Sequence, residues 1–321
     1  KWEFTFTTLV TFGGAFFASF PLFYATSFGG AYWVWMIILF AFVIQAVSYE
    51  FRSRASNFLG KKTFEAFLFT NGLVGTLLIG TAVATFFSGS QFSLNEYNSV
   101  TWENTTRGLE AALNPFNLAL GLTVFFLARV LGLLYFMNTI DHKEIIRRTK
   151  KQLLINTIPF VVFFLIFAIW LMLRDGYAVD PGTGVVSLEA FKYWHNLVQM
   201  PLVMILFLAG VVLVLAGIAW SLLRTVSNGI WLSGPGTVLV VLSLFFLAGF
   251  NNTAFYPSNY DLQSSLTIQN SSSSKFTLVV MSYVSLAVPF VLAYIVYAWR
   301  AINNVKISEK EITAGDDTHV Y

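Results

Sequence analysis

The stretch Phe116 to Ile140, FNLALGLTVFFLARVLGLLYFMNTI, decides the fold. It is an almost unbroken apolar run that carries one charge, Arg129. A helix rises 1.5 Å per residue, so about 20 such residues cross the roughly 30 Å hydrocarbon core of a bilayer. An arginine at mid-depth costs about 2.5–3.5 kcal/mol on insertion scales and is kept where it faces protein or water. Arg129 is therefore expected as a buried charge, serving either as a structural partner between helices or as a charge that tunes a nearby cofactor or ion path. No Asp or Glu lies at its depth. Its counter-charge is expected from a segment outside these residues, from another subunit, or from no carboxylate at all.

Working outward, the same kind of run recurs. Apolar segments are read as helices at about 4–24, 31–49, 64–88, 116–140, 153–173, 201–223, 230–250 and 276–299. Across the 321 residues, 56% are hydrophobic and only 11% charged, far from the roughly 25% charged residues of a soluble domain. The apolar–polar alternation of a spanning barrel is absent. The expected fold is all-α: a single polytopic helical bundle over residues 1–321, with eight transmembrane helices. There is no cysteine, which excludes disulfides and thiolate metal sites within the chain. The net charge of +3 reads as loop charge in a membrane protein, with no nucleic-acid partner.

Counting loops alternately supports eight spans. Lys1, Arg52, Arg54, Lys61, Lys62, Lys143, Arg147, Arg148, Lys150, Lys151, Arg224, Arg300, Lys306 and Lys310 fall on one side, and only Arg107, Arg174, Lys192 and Lys275 on the other. Fourteen against four puts both ends in the cytoplasm by the positive-inside rule. The polar loops 91–114, 174–199 and 251–275 then share the outer face, and Val185 to Gln199 is read as an amphipathic surface helix with Tyr193 and Trp194 at the interface.

Chemistry-bearing residues are sparse. His142, His195 and His319 all fall in loops or the tail, so no haem ligand from a membrane helix is expected, and the methionines read as packing. No carboxylate cluster, phosphate loop or nucleophile–base pair is seen. Two carboxylates at helix boundaries are proton-path candidates. Glu3 is either an interfacial charge favoured by a helix N-terminus or a proton-uptake group. Glu50, with Arg52, is either half of a boundary ion pair or part of a proton entrance. Glu65 reads as a solvated first-turn charge. In the third helix Thr70, Asn71, Gly72, Gly75, Thr76 and Gly80 are expected to face neighbouring helices.

Several motifs carry a family likeness. Trp2-Glu3, Leu9, Gly13-Gly14-Ala15-Phe16-Phe17-Ala18-Ser19-Phe20-Pro21, Tyr24-Ala25, Phe28-Gly29 and Ser48-Tyr49-Glu50-Phe51-Arg52-Ser53-Arg54 occur in this order. They are followed by Leu113-Asn114-Pro115-Phe116, Phe255-Tyr256-Pro257-Ser258, Ser264-Ser265-Leu266-Thr267, Ser273-Ser274 with Thr277-Leu278 and Met281, and the Ile307 to Ile312 and His319-Val320-Tyr321 ending. Together they resemble subunit II of cytochrome bd-type quinol oxidases.

The resemblance implies a nine-helix subunit whose first helix lies upstream of this sequence. It also implies a partner, subunit I, that carries haems b and d, oxidises quinol and reduces oxygen to water, with chemical protons drawn from the cytoplasm. This chain would itself bind no haem or metal, be non-catalytic alone, support assembly of subunit I and supply part of a proton path in a bacterial cytoplasmic membrane. A structural quinone or lipid is compatible with it. The family's acidic residue after Trp maps onto Glu3, although the family more often has Asp there, with Asn and Trp soon after, where this chain has Thr5, Phe6 and Thr8. A secondary transporter and a purely structural assembly subunit are the alternatives.

Overall fold

The computed structural model describes the backbone of residues 2–54, 57–224, 228–303 and 307–308, with side chains from residue 7 to residue 301 within those ranges. Seven helices among the described residues are long and apolar enough to cross a membrane. They are α2 (Tyr32–Phe51), α3 (Lys61–Ser88), α4 (Pro115–Thr139), α5 (Lys143–Leu173), α7 (Pro201–Arg224), α8 (Ile230–Gly249) and the pair α9 (Lys275–Ser285) and α10 (Val288–Asn303). Ahead of them α1 (Trp2–Ser19) covers most of the first expected span. A short helix, α6 (Lys192–Gln199), precedes α7.

Helix boundaries depart from the expected ones where local chemistry overrides hydropathy, and the segment expected over 276–299 is interrupted between Ser285 and Val288. The segment expected over 4–24 breaks at Phe20, because Pro21 starts a new turn and the chain continues as a π-helical stretch, Tyr24–Gly30. Helix α5 begins ten residues before the expected 153. The charged run Lys143 to Lys151 was read as loop, but its residues are good helix formers, and Glu144 pairs with Arg148 one turn on at 2.5 Å. Within α3, Asn71–Gly75 is π-helical, a one-residue bulge in an otherwise regular α-helix.

Contacts group the chain into two compact units. The first comprises residues 1–125, 160–201 and 245–278. Its centre is aromatic: the ring of Phe23 stands 4.7 Å from Phe16, 5.3 Å from Phe86 and 5.1 Å from Tyr256, tilted and edge-on arrangements that suit the ring quadrupole. Helices α3 and α4 pack backbone to backbone at Gly80 and Gly121. A Cβ on Gly80 would sit 2.7 Å from the Gly121 Cα. Hydroxyls inside these helices bond back to their own carbonyls, as Ser48 does to Ile44 (2.6 Å) and Thr85 to Ala82 (2.6 Å), which settles a polar group where water is absent.

The second unit comprises residues 126–159, 202–244 and 279–321. There α7 and α8 approach through glycines. A Cβ on Gly210 would meet the Gly236 carbonyl at 2.8 Å, and one on Gly217 would meet the Gly229 carbonyl at 2.5 Å. Ser233 Oγ donates across this seam to the Val214 carbonyl at 3.0 Å. Small residues substitute here for a hydrophobic drive that lipid does not supply.

Candidate functional site

The three long polar loops all lie in the first unit, and hydrogen bonds stitch them together. In the first, β1 (Phe92–Leu94) and β2 (Val100–Trp102) form a hairpin; in the second, β3 (Gly176–Val179) pairs with β4 (Val186–Glu189). The third, 251–275, threads between both hairpins. Leu94 N–H donates to Ser264 Oγ at 2.9 Å, Ser258 Oγ donates to the Phe92 carbonyl, and Gln263 exchanges hydrogen bonds with the Val186 backbone at 3.0 and 2.9 Å. Asn196, fully buried, donates to the Leu247 carbonyl (3.0 Å) and Thr253 Oγ1 (2.8 Å), and accepts from Asn251 (3.0 Å). Every one of these bonds crosses between segments far apart in sequence, so the loops behave as one polar layer.

The surface helix expected over Val185 to Gln199 is corrected by this layer. Its first part is strand β4, and helix α6 begins only at Lys192, after Phe191 takes a left-handed φ of 54°. Trp194 is half exposed, but Tyr193 is buried, its ring 5.1 Å from Phe87 and its hydroxyl donating to the Phe87 carbonyl at 3.3 Å. Burial pushes the Tyr193 phenol well above its ordinary value. The Tyr256 phenol is likewise raised by burial, against the pull of hydrogen bonds from Ser90, Ser27 and Thr85. Glu189 bonds to His195 Nδ1 at 2.8 Å and Lys192 at 3.2 Å, and these partners, His195 first, hold its carboxyl below the usual range. A linear reading missed this because Phe87 and Tyr193 are far apart in the chain, and because Glu189 meets Lys192 and His195 through the turn at Phe191, between β4 and α6.

At the α2–α3 turn the expected pairing of Glu50 with Arg52 is replaced by two bridges. Glu50 Oε1 pairs with Arg54, one turn on, and Arg52 pairs with Glu65 at 2.7 Å. The reason is periodicity: residues two apart point to different sides of a helix, whereas four apart they share a face. Glu65 is therefore an ion-paired group rather than a merely solvated one. Glu50 stays half exposed, so water reaches it. The side chain of Glu3, in the first turn of α1, lies outside the described residues, as do His319, Val320 and Tyr321.

Arg129 is an exposed residue of this chain rather than a buried one, because α4 turns that side outward. An amide is among its contacts: Nε donates to Asn156 Oδ1 at 2.6 Å, and Asn156, itself buried, donates to the Gln152 carbonyl at 2.7 Å. Of the expected small-residue face of α3, Asn71, Gly75 and Gly80 are buried, whereas Thr70 and Gly72 are exposed and Thr76 lies between. Among the described residues no three His, Cys, Asp or Glu side chains converge as metal ligands would.

A family described as cytochrome bd terminal oxidase subunit II matches residues 1–302. The chain is 28% identical to the probable cytochrome oxidase subunit 2 of Haemophilus influenzae, over 93% of this chain and 80% of that one. It is 26% identical to the cytochrome bd-I ubiquinol oxidase subunit 2 of Escherichia coli K12, over 95% and 82%, and 25% identical to the cytochrome bd ubiquinol oxidase subunit 2 of Bacillus subtilis, over 97% and 83%. Its fold is similar to a chain of the bd oxidase from Geobacillus thermodenitrificans, with a TM-score of 0.57 at 12% identity, over 93% of this chain and 84% of that one.

Proposed function

The chain belongs to the cytochrome bd terminal oxidase subunit II family, a component of an oxidoreductase complex, and from that premise we propose that it is the haem-free subunit of a bacterial inner-membrane quinol oxidase. Its two tasks are to support assembly of the haem-bearing subunit I and to carry protons from the cytoplasm toward it. The reading takes both chain ends as cytoplasmic and eight spans in this sequence, α1 included. Quinol and oxygen react on subunit I.

The observation that carries the proton task is the state of Glu50. It is a half-exposed carboxylate at the last turn of an apolar helix, in a turn region crowded with Arg52, Arg54, Lys61 and Lys62. Arg54 stands as counter-ion while the carboxylate is charged and can swing to water when it is protonated, a small rearrangement because an exposed ion pair is worth only about 0–1 kcal/mol. Arg52 meanwhile pairs with Glu65, which leaves Arg54 as the partner of Glu50. Glu3 belongs to the same path by its match to the family's acidic position. Family membership takes the place of the transporter reading.

Exchange of each carboxylate in the assembled oxidase tests this. Glu50→Ala and Glu3→Ala are expected to slow oxygen reduction at saturating quinol by roughly a hundredfold, the lower end of what a lost proton-transfer group costs. The haem absorption spectrum should stay unchanged. Wild-type turnover in both variants would leave only the assembly role.

A further inference from the structure

We infer that the outer half of α5 and the loop that follows it form a seat for one zwitterionic phospholipid, a molecule of phosphatidylethanolamine type. Two adjoining hollows in the first unit make up the seat. One is a shallow, open apolar strip of about 560 Å³ along one face of α5, lined by Val162, Leu165, Ile166, Ile169, Trp170 and Leu173. The other, about 480 Å³, is mostly polar; Asn114, Arg174, Asp175 and Tyr177 line it, and it shares Trp170 and Leu173 with the strip. An apolar strip that leads at one end into a charged pocket has the polarity of a lipid, tail to head.

The dimensions agree. From Val162 to Leu173 the helix advances about 16 Å, and one leaflet of hydrocarbon is about 15 Å deep. Trp170 stands where the strip meets the pocket, the depth at which indole rings collect in membranes. The charges agree as well. Arg174 is held in place by its stacking over Phe116, with 4.4 Å from guanidinium carbon to ring centroid, and its Nε donates to the Asp175 carbonyl at 3.4 Å. No hydrogen bond engages its two terminal nitrogens among the described residues. Asp175, next in the chain, is exposed and lines the same pocket. A cation and an anion side by side, joined by no ion pair among the described residues, match a phosphate and an ammonium on one headgroup. A purely anionic lipid would satisfy Arg174 and be repelled by Asp175. The inference rests on α5 spanning the membrane and not on the proton path, so either can fail without the other.

Native mass spectrometry of the complete oxidase, equilibrated with equal amounts of phosphatidylethanolamine and phosphatidylglycerol, tests it. The wild-type complex is expected to retain one more phosphatidylethanolamine than the Arg174→Gln complex, whose retention of that lipid falls roughly tenfold, the scale of a lost charge-assisted hydrogen bond. Asp175→Asn is expected to move the preference toward phosphatidylglycerol. Ile169→Trp, which crowds the strip and leaves both charges, is expected to lower retention of both lipids. Equal retention of the two lipids by the wild type, a prenyl quinone recovered in place of the phospholipid, or unchanged retention in all three variants would overturn the proposal. A normal haem spectrum in each variant verifies that the complex has assembled.

Discussion

Arg129 and Asn156 illustrate how a charge survives in an apolar run. Asn156 lies five residues beyond Lys151, about 7 Å along α5. Because Asn156 meets Arg129, the arginine stands about one and a half turns of α5 inside the last lysine, and a long side chain at that depth reaches the basic interface. The sequence made the arginine conspicuous, but its depth was measured along α4 alone. The charged start of α5 was read as loop, so the neighbouring level was missed. Removing one partner of such a bond costs more than removing both. Asn156→Leu is expected to lower the stability of the purified complex by about 1–3 kcal/mol, and Arg129→Leu in addition to recover at least half of that loss. Thermal unfolding of the wild type, both single variants and the double variant measures the coupling. Strictly additive losses would show that the bond stabilises nothing.

At the scale of elements, hydropathy was a good guide to where helices lie and a poor one to how they touch. The runs at 201–223 and 230–250 became α7 and α8 almost unchanged, because twenty apolar residues in lipid have no other way to satisfy their backbone. Strand pairing left no such trace: β3 and β4 are four residues each and depend on a partner loop for their remaining bonds. The third helix falls between these cases. Its small residues signalled close packing, yet only the fold separates Gly80, against the Gly121 backbone, from Gly72, which has open space around it. Gly80→Val is expected to push α3 from α4 and cost about 1–3 kcal/mol, seen as a lower yield of assembled complex and a lower unfolding temperature. Gly132→Ala, in the middle of α4 with nothing within 4 Å of the added Cβ, is the matching control and should leave assembly intact.

For the whole molecule, the argument turns on sidedness. The sequence assigned the loops 91–114, 174–199 and 251–275 to one face by counting lysines and arginines, a weak force on each residue that acts through its sum. The structure supplies an independent reason for their association: Asn196, Ser258 and Gln263 join segments that an odd number of spans between them would hold apart. Those bonds hold the loops together, and the proposed cytoplasmic ends would put them on the outer face. Because the chain contains no cysteine, one introduced thiol reports a single position. Tyr97→Cys, at the 88% exposed tip between β1 and β2, is expected to react with a membrane-impermeant maleimide in intact cells. Phe58→Cys, 92% exposed between α2 and α3, is expected to react only after the membrane is opened. The reverse pattern would invert the chain and move Glu50 away from the cytoplasmic proton supply. Equal labelling of both in intact cells would mean that the α2–α3 turn and the polar layer do not lie on opposite faces, and the count of spans between them would have to change.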